Sequence, residues 1–206
     1  VHDILPGMEA SFIDLGLTKN AYLFLNELAA AGLKTKNLRV GQRVVVQIAK
    51  VNSGEKGAKL TAQIGLPGRF LVLLPFGSGV AVSKKLEPMR DYFYNLALPI
   101  CPPDMGLIVR TAAKNANIKQ LGQDLELLLK QWQEIKDKAL TQKAPCLLYQ
   151  EANLAVRAGR DLFTNETDAV FVDDEATFLQ LKSFIYNTMP EATHKIKLVN
   201  KEQLYV

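Results

Sequence analysis

Hydrophobic positions along the chain follow two patterns. Up to residue 62 they come in short runs, at 11–16, 21–25, 43–48 and 59–62, the third with a period of two, with Gly16, Gly41 and Gly57 in or beside the gaps. Alternation with a period of two puts successive side chains on opposite faces of a sheet, and glycine-rich gaps between such runs form turns. Short strands punctuated in this way predict a small β-barrel of the OB type.

From Gly65 onward the runs become apolar throughout. Those at 70–75, 79–82 and 107–111 predict strands covered on both faces. Ile118, Leu121, Leu125, Leu128, Trp132, Ile135 and Ala139 then recur at steps of three and four. That spacing draws one apolar stripe along a helix of about six turns, on which Trp132 reads as core. Asn117 with Gln120 makes a capping box for its start, and Pro145 lies beyond its end. The last third reads as strand, helix, strand, helix: 146–149, 151–162, 169–172, and a helix carrying Phe178, Leu181 and Phe184. Asp173 or Asp174 caps the final helix, Pro190 stops it, and 195–198 follows as a closing strand. The predicted class is α+β, with an OB-type barrel over 1–62, an α/β region over 63–155 and a partial α/β layer over 156–206, too short to complete its own sheet.

With 206 residues, 48% of them hydrophobic, the chain can bury one ample core or two modest ones. No apolar run approaches the roughly 20 residues a bilayer requires, and no signal peptide opens the sequence. Cys101 and Cys146 form no CxxC pair, so a reducing, cytoplasmic setting is expected. The sequence opens at Val1 without methionine and stops abruptly at Val206, as expected of a segment of a longer protein. The net charge is only +4, but it is unevenly distributed. Lys34, Lys36, Arg39, Arg43, Lys50, Lys56, Lys59 and Arg69 face a single acid, Glu55, within one stretch. Acids gather instead at Asp161, Glu166, Asp168, Asp173, Asp174 and Glu175. A one-signed stripe on a rigid sheet attracts polyanions through counterion release, although a merely solvated face has the same composition.

Two constellations carry candidate chemistry. Phe12 and Tyr22 fall on adjacent predicted strands with Lys56 in the return turn, and exposed rings with cations hold single-stranded nucleic acid by stacking. The competing reading puts both rings in the core. Arg110 and Thr111 end an apolar strand, where a guanidinium fork and a hydroxyl suit a terminal phosphate; an Arg paired with a nearby acid is the alternative. Catalytic machinery is not apparent. His2 and His194 stand apart, there is no Walker-type loop or nucleophile elbow, and Asp173, Asp174 and Glu175 are acids of a kind common at helix starts. Neither catalytic residues nor metal ligands are assigned.

Three stretches together carry a family resemblance: Leu5-Pro6-Gly7-Met8-Glu9-Ala10-Ser11-Phe12-Ile13-Asp14-Leu15-Gly16, Gly54-Glu55-Lys56-Gly57-Ala58-Lys59-Leu60-Thr61, and Met105-Gly106-Leu107-Ile108-Val109-Arg110-Thr111-Ala112-Ala113. With Gln150-Glu151 and Lys195-Ile196-Lys197-Leu198, the sequence resembles the ribonuclease E/G endoribonucleases along essentially its whole length. The resemblance implies an S1 (OB-type) domain, a 5′-sensor and part of an RNase H-like domain. It assigns single-stranded RNA contacts to Phe12, Tyr22 and Lys56, with Tyr22 standing where Phe is frequent. It assigns 5′-monophosphate sensing to Gly68, Val72, Arg110 and Thr111. In this scheme Arg110 and Thr111 take the phosphate, while Gly68 and Val72 shape the space for the terminal nucleotide. Lys84 stands where an auxiliary Arg is common, which keeps charge but loses the fork. The family's two magnesium-binding aspartates and its zinc-linking cysteines lie in later regions, and Cys101 and Cys146 do not match the latter. The implied parent is a magnesium-dependent endoribonuclease, a homo-oligomer that prefers 5′-monophosphorylated RNA, with this segment binding RNA but not cutting it. The competing reading is a non-catalytic S1-type RNA-binding module or platform, and a purely structural domain would have no RNA affinity.

Overall fold

The computed structural model describes residues 1–30, 38–51, 57–151, 153–163 and 166–200. The chain divides into two compact units, Val1–Tyr149 and Gln150–Val206, and its fold is mixed α+β.

The first unit opens with β1 (Asp3–Leu5), β2 (Ala10–Ile13), β3 (Ala21–Phe24), α1 (Leu25–Ala30), β4 (Gln47–Lys50) and β5 (Lys59–Thr61). The strands form one sheet in the order β1-β2-β3-β5-β4, antiparallel except where β3 meets β5. Period-two alternation sends Ile13, Ala21, Leu23 and Leu60 to one face, where they bury with Leu28 and Ala62. Gly57 lets β5 lie against β3: a Cβ there would collide with the Asn20 carbonyl, beside the bond from Tyr22 N–H to the Ala58 carbonyl at 3.0 Å.

Two expectations for this region need correction. The strand predicted over 43–48 begins only at Gln47, the residue facing Thr61 at the end of β5. Beyond Thr61 the chain turns, with Ile64 N–H donating to the Ala62 carbonyl, so β5 offers no ladder to 43–46. Val44 and Val46 still pack on the core through their side chains, which accounts for the alternation. Nor does the sheet close into a barrel among the described residues, because β1 and β4 remain its edges. Instead, two bonds tie the start of β1 to the segment leading into β4: Gly41 N–H to the Val1 carbonyl at 2.9 Å, and the Val1 ammonium to the Gln42 carbonyl at 2.8 Å.

A second sheet, β6 (Leu66–Pro67), β7 (Leu71–Leu74), β9 (Gly106–Val109) and β8 (Gly79–Val82), follows in the order β6-β7-β9-β8. Leu71, Leu73, Leu107 and Val109 bury against α2 (Arg90–Ala97) and α3 (Ile118–Thr141). From the helices come Phe93, Ala97, Leu121, Leu125, Leu128, Trp132 and Ile135. Val72, Leu74 and Ile108, alternating with the first set, are only half-buried. The helices therefore cover one face fully, not the two that the continuous apolar runs suggested. The α3 stripe is buried as predicted from Leu121 to Ile135, whereas its first residue, Ile118, is 43% exposed and its last, Ala139, only half-buried.

The α3 capping box is present, with Gln120 N–H donating to Asn117 Oδ1 and Asn117 N–H donating to Gln120 Oε1, both at 3.0 Å. Asn117→Ala removes one of these acceptors and should destabilise the unit by about 1 kcal/mol, read as a lower urea midpoint at unchanged slope. An unchanged midpoint would mean that α3 is held by its buried stripe alone.

The run 146–149, expected as a strand, is irregular instead. It returns along α3, with Leu148 packed on the core and its carbonyl accepting from Lys138 Nζ at 3.4 Å. The second unit holds α4 (Leu154–Leu162), β10 (Val170–Val172), α5 (Glu175–Thr188) and β11 (Ile196–Leu198). β10 and β11 pair in parallel, and the helical connection between them makes a βαβ unit. Asp174 caps α5 by accepting from Thr177 N–H at 2.8 Å. Among the described residues no helix is long and apolar enough to cross a membrane.

Candidate functional site

The face of the first sheet opposite its core is aromatic and basic. Phe12 and Tyr22 are directly paired across β2 and β3, both half-buried. Phe24, two residues on and so on the same face, is 38% exposed and meets Tyr22 edge-on at 5.6 Å between centroids. Lys59 is the register partner of Tyr22 and holds its ammonium 5.5 Å from the centre of the Phe24 ring. Lys50 pairs with Lys59 across a bulge in β4. Two lysines directly opposite each other repel, a local cost that sheets tend to keep where the charge has a use. Lys56 lies outside the described residues, as do Lys34, Lys36 and Glu55 of the basic stretch. Arg69 belongs to the second sheet rather than the first, with its guanidinium 4.9 Å from the centre of the Phe70 ring.

A second constellation forms where β6, β7 and β9 meet. Arg110, extended just past β9, donates from Nη1 to the carbonyls of Gly68 and Arg69. Its backbone N–H donates to the Phe70 carbonyl at 2.8 Å. Beneath the same loop sits the carboxylate of Asp124 from α3, only 6% exposed, which accepts N–H bonds from Arg69, Phe70 and Leu71 at 3.0, 2.8 and 2.9 Å. Burial pushes the Asp124 pKa above the usual carboxylate range, and the three N–H groups and the nearby Arg110 offset part of that rise. Thr111 opens a 3-10 turn and its hydroxyl lies 2.9 Å from that of Ser83. Ser83 precedes Lys84, which is exposed. Val72 stands on β7 between Pro67 of β6 and Ile108 of β9. Gly68 and Arg110 are thus in contact, Thr111 is joined to the neighbour of Lys84, and Val72 lines the adjoining sheet face.

Other polar groups have local partners. Buried Arg160 in the second unit is held by Glu151 at 2.7 Å and Asp161 at 3.0 Å. His194 Nδ1 lies 2.9 Å from the Glu191 carbonyl. Burial raises the Cys101 thiol, and Cys146 is exposed. Among the described residues, no three His, Cys, Asp or Glu side chains gather as a metal site.

The sequence profile of the Ribonuclease E/G family matches residues 65–206, which take in the Arg110 constellation and the whole second unit. The chain belongs to the ribonuclease E/G family. It is 37% identical to the Ribonuclease E of Synechocystis sp. over 91% of its own length and 29% of that protein. It is 33% identical to the Ribonuclease G of Escherichia coli over 96% of its length and 44% of that protein. With the Ribonuclease E of Buchnera aphidicola it shares 36% identity over 97% of its length and 24% of the relative. The chain therefore spans less than half the length of these ribonucleases.

Within this ribonuclease E/G chain, the geometry adds Phe24 and Asp124 to the residues the sequence singled out, and it brings Lys59 of the basic stretch into one of the sites. Phe24 and Lys59 join the Phe12–Tyr22 face, which only the strand register reveals. Asp124 joins Gly68 and Arg110. It interrupts the α3 stripe between Leu121 and Leu128, and a lone acid in a helix's apolar stripe signals a buried partner.

Proposed function

We propose that this chain is the RNA-binding and 5′-end-sensing part of a ribonuclease E/G-type endoribonuclease that acts on single-stranded RNA in RNA processing and decay. The observation that carries this reading is the outward sheet face, where Phe12, Tyr22 and Phe24 stand beside Lys59 and Lys50. Rings and cations on a pleated surface suit bases that stack and a backbone that runs past, with little dependence on sequence. Five strands whose edges are linked at Val1, Gly41 and Gln42 support an S1 domain, a partly open barrel of the OB type. The Arg110 fork, anchored on loop carbonyls beside Thr111 and near Lys84, supports the 5′-phosphate sensor, with Gly68 and Val72 at its rim. The second unit's βαβ element supports a part of an RNase H-like layer.

The parent is read as a cytoplasmic homo-oligomer that hydrolyses phosphodiesters with water activated on magnesium. Asp174 is engaged as a helix cap, and the family resemblance puts the ion's ligands in later regions. This chain's own part is to bind and position RNA.

Fluorescence anisotropy of the chain with one short single-stranded RNA, bearing either a 5′-monophosphate or a 5′-hydroxyl, tests the proposal at fixed salt. The monophosphate should bind tighter by about tenfold or more, the worth of a charge-assisted hydrogen bond. Equal affinities would reduce the reading to an S1-type RNA platform. Failure to bind either RNA would overturn it.

A further inference from the structure

The loop at 68–71 is gripped from both sides by charged groups. On one side Arg110 Nη1 donates to the Gly68 and Arg69 carbonyls. On the other the Asp124 carboxylate accepts the N–H groups of Arg69, Phe70 and Leu71. A Cβ on Gly68 would stand 2.6 and 2.7 Å from the two Asp124 carboxylate oxygens, closer than non-bonded atoms approach. Only glycine leaves room for the acid.

We propose that Gly68 is glycine in order to admit Asp124, and that Asp124 is the positioning residue of the phosphate site, fixing the loop on which Arg110 is anchored. The inference rests on the sensor reading and deepens it. A guanidinium recognises a phosphate best when its plane is already set, because the cost of ordering it is then met before binding. Arg110 is anchored on two carbonyls, and these belong to a loop whose Arg69, Phe70 and Leu71 N–H groups are directed at one buried carboxylate, while its Gly68 N–H donates to the Leu71 carbonyl. The loop leads straight into β7 and Val72, so the same clamp sets the wall beside the terminal nucleotide. Burying a carboxylate is costly unless it is paired and hydrogen-bonded. Asp124 has three donors and a nearby cation, and all four lie in the segments proposed to meet the RNA 5′ end. In this view Gly68 faces the acid, whereas the family resemblance assigns it to the nucleotide.

The two roles for Gly68 separate in a double-mutant cycle on the whole chain: wild type, Gly68→Ala, Asp124→Ala and the double variant. Each protein is melted, then titrated with the 5′-monophosphate and 5′-hydroxyl forms of one RNA. Gly68→Ala and Asp124→Ala should each reduce the monophosphate preference to near one. The double variant should be no worse than Asp124→Ala in melting temperature or preference, because the new methyl enters space the carboxylate has left. Asp124→Asn, of equal size, should fold and still lower the preference, which keeps the test open if Asp124→Ala is too unstable to titrate. Additive losses in the double variant would mean that the Gly68 position faces RNA, and would overturn the proposal. So would a wild-type preference retained by Asp124→Ala or Asp124→Asn. A wild type without any preference would defeat the sensor reading and the positioning role with it. The melting data would then still report whether Gly68 and Asp124 are coupled, and so tell the two failures apart.

Discussion

Arg110→Ala should abolish discrimination between 5′-monophosphate and 5′-hydroxyl RNA while leaving the affinity for 5′-hydroxyl RNA nearly unchanged. A charge-assisted hydrogen bond contributes about 1.5–3 kcal/mol, so the lost preference should be about 10- to 150-fold. The expectation follows from the residue's setting. Arg110 Nη1 donates to the carbonyls of Gly68 and Arg69, so the backbone of the loop helps to set its plane. Thr111 begins the next turn with its hydroxyl against Ser83, which brings a second polar group and the Lys84 segment to the same place. Arg110→Lys separates charge from shape: an ammonium keeps the attraction but cannot match two phosphate oxygens in a plane, so an intermediate preference is expected. Should Arg110→Ala weaken both RNAs equally, Arg110 would be a general backbone contact. If it lowered stability without altering preference, its bonds to the loop would be its whole role.

How much of this could be read before the fold was known depended on the range of the determining interactions. The α3 stripe, its capping box at Asn117 and the Asp174 cap arise from contacts three or four residues apart, and a long helix repeats its signal many times. Strand limits were harder, because a strand requires a partner. Residues 43–46 alternate correctly, but β5 turns away after Thr61. The apolar runs of the second sheet suggested two covered faces, yet alternate residues such as Val72 and Ile108 are only half-buried, since an apolar side chain does not report which face a helix covers. At the candidate sites, Phe12 with Tyr22 and Arg110 with Thr111 were legible from short patterns. The meeting of Phe24 with Lys59 of the basic stretch was not, because their shared face depends on the parallel pairing of β3 with β5. Asp124 lies 55 residues from Arg69, and its place in an apolar stripe was the one local clue.

Replacing both Phe12 and Tyr22 by alanine should weaken RNA binding whatever the 5′ end carries. Each exposed ring that stacks on a base contributes about 1–3 kcal/mol, so the pair should cost about 2–6 kcal/mol if the two act independently. As cross-strand neighbours they will fall short of full additivity, and a loss of affinity of at least about 10-fold is expected. Stability should change far less than for a core substitution. The two rings lie on the outward face, whereas Leu23, between Tyr22 and Phe24, is fully buried on the other. Leu23→Ala should therefore cost about 2–5 kcal/mol of stability, and it calibrates the comparison. Phe24→Ala should weaken binding less than either partner, because Lys59 stays beside Tyr22 through the strand register and continues to attract phosphate. Raising the salt should then reduce wild-type affinity with the slope of a few phosphate contacts, and the double ring variant should keep that slope while losing affinity at every salt concentration. A double variant that bound RNA normally but melted early would make the rings a cover for the sheet. The RNA path would then have to be sought on the second sheet, around Arg69 and Arg110.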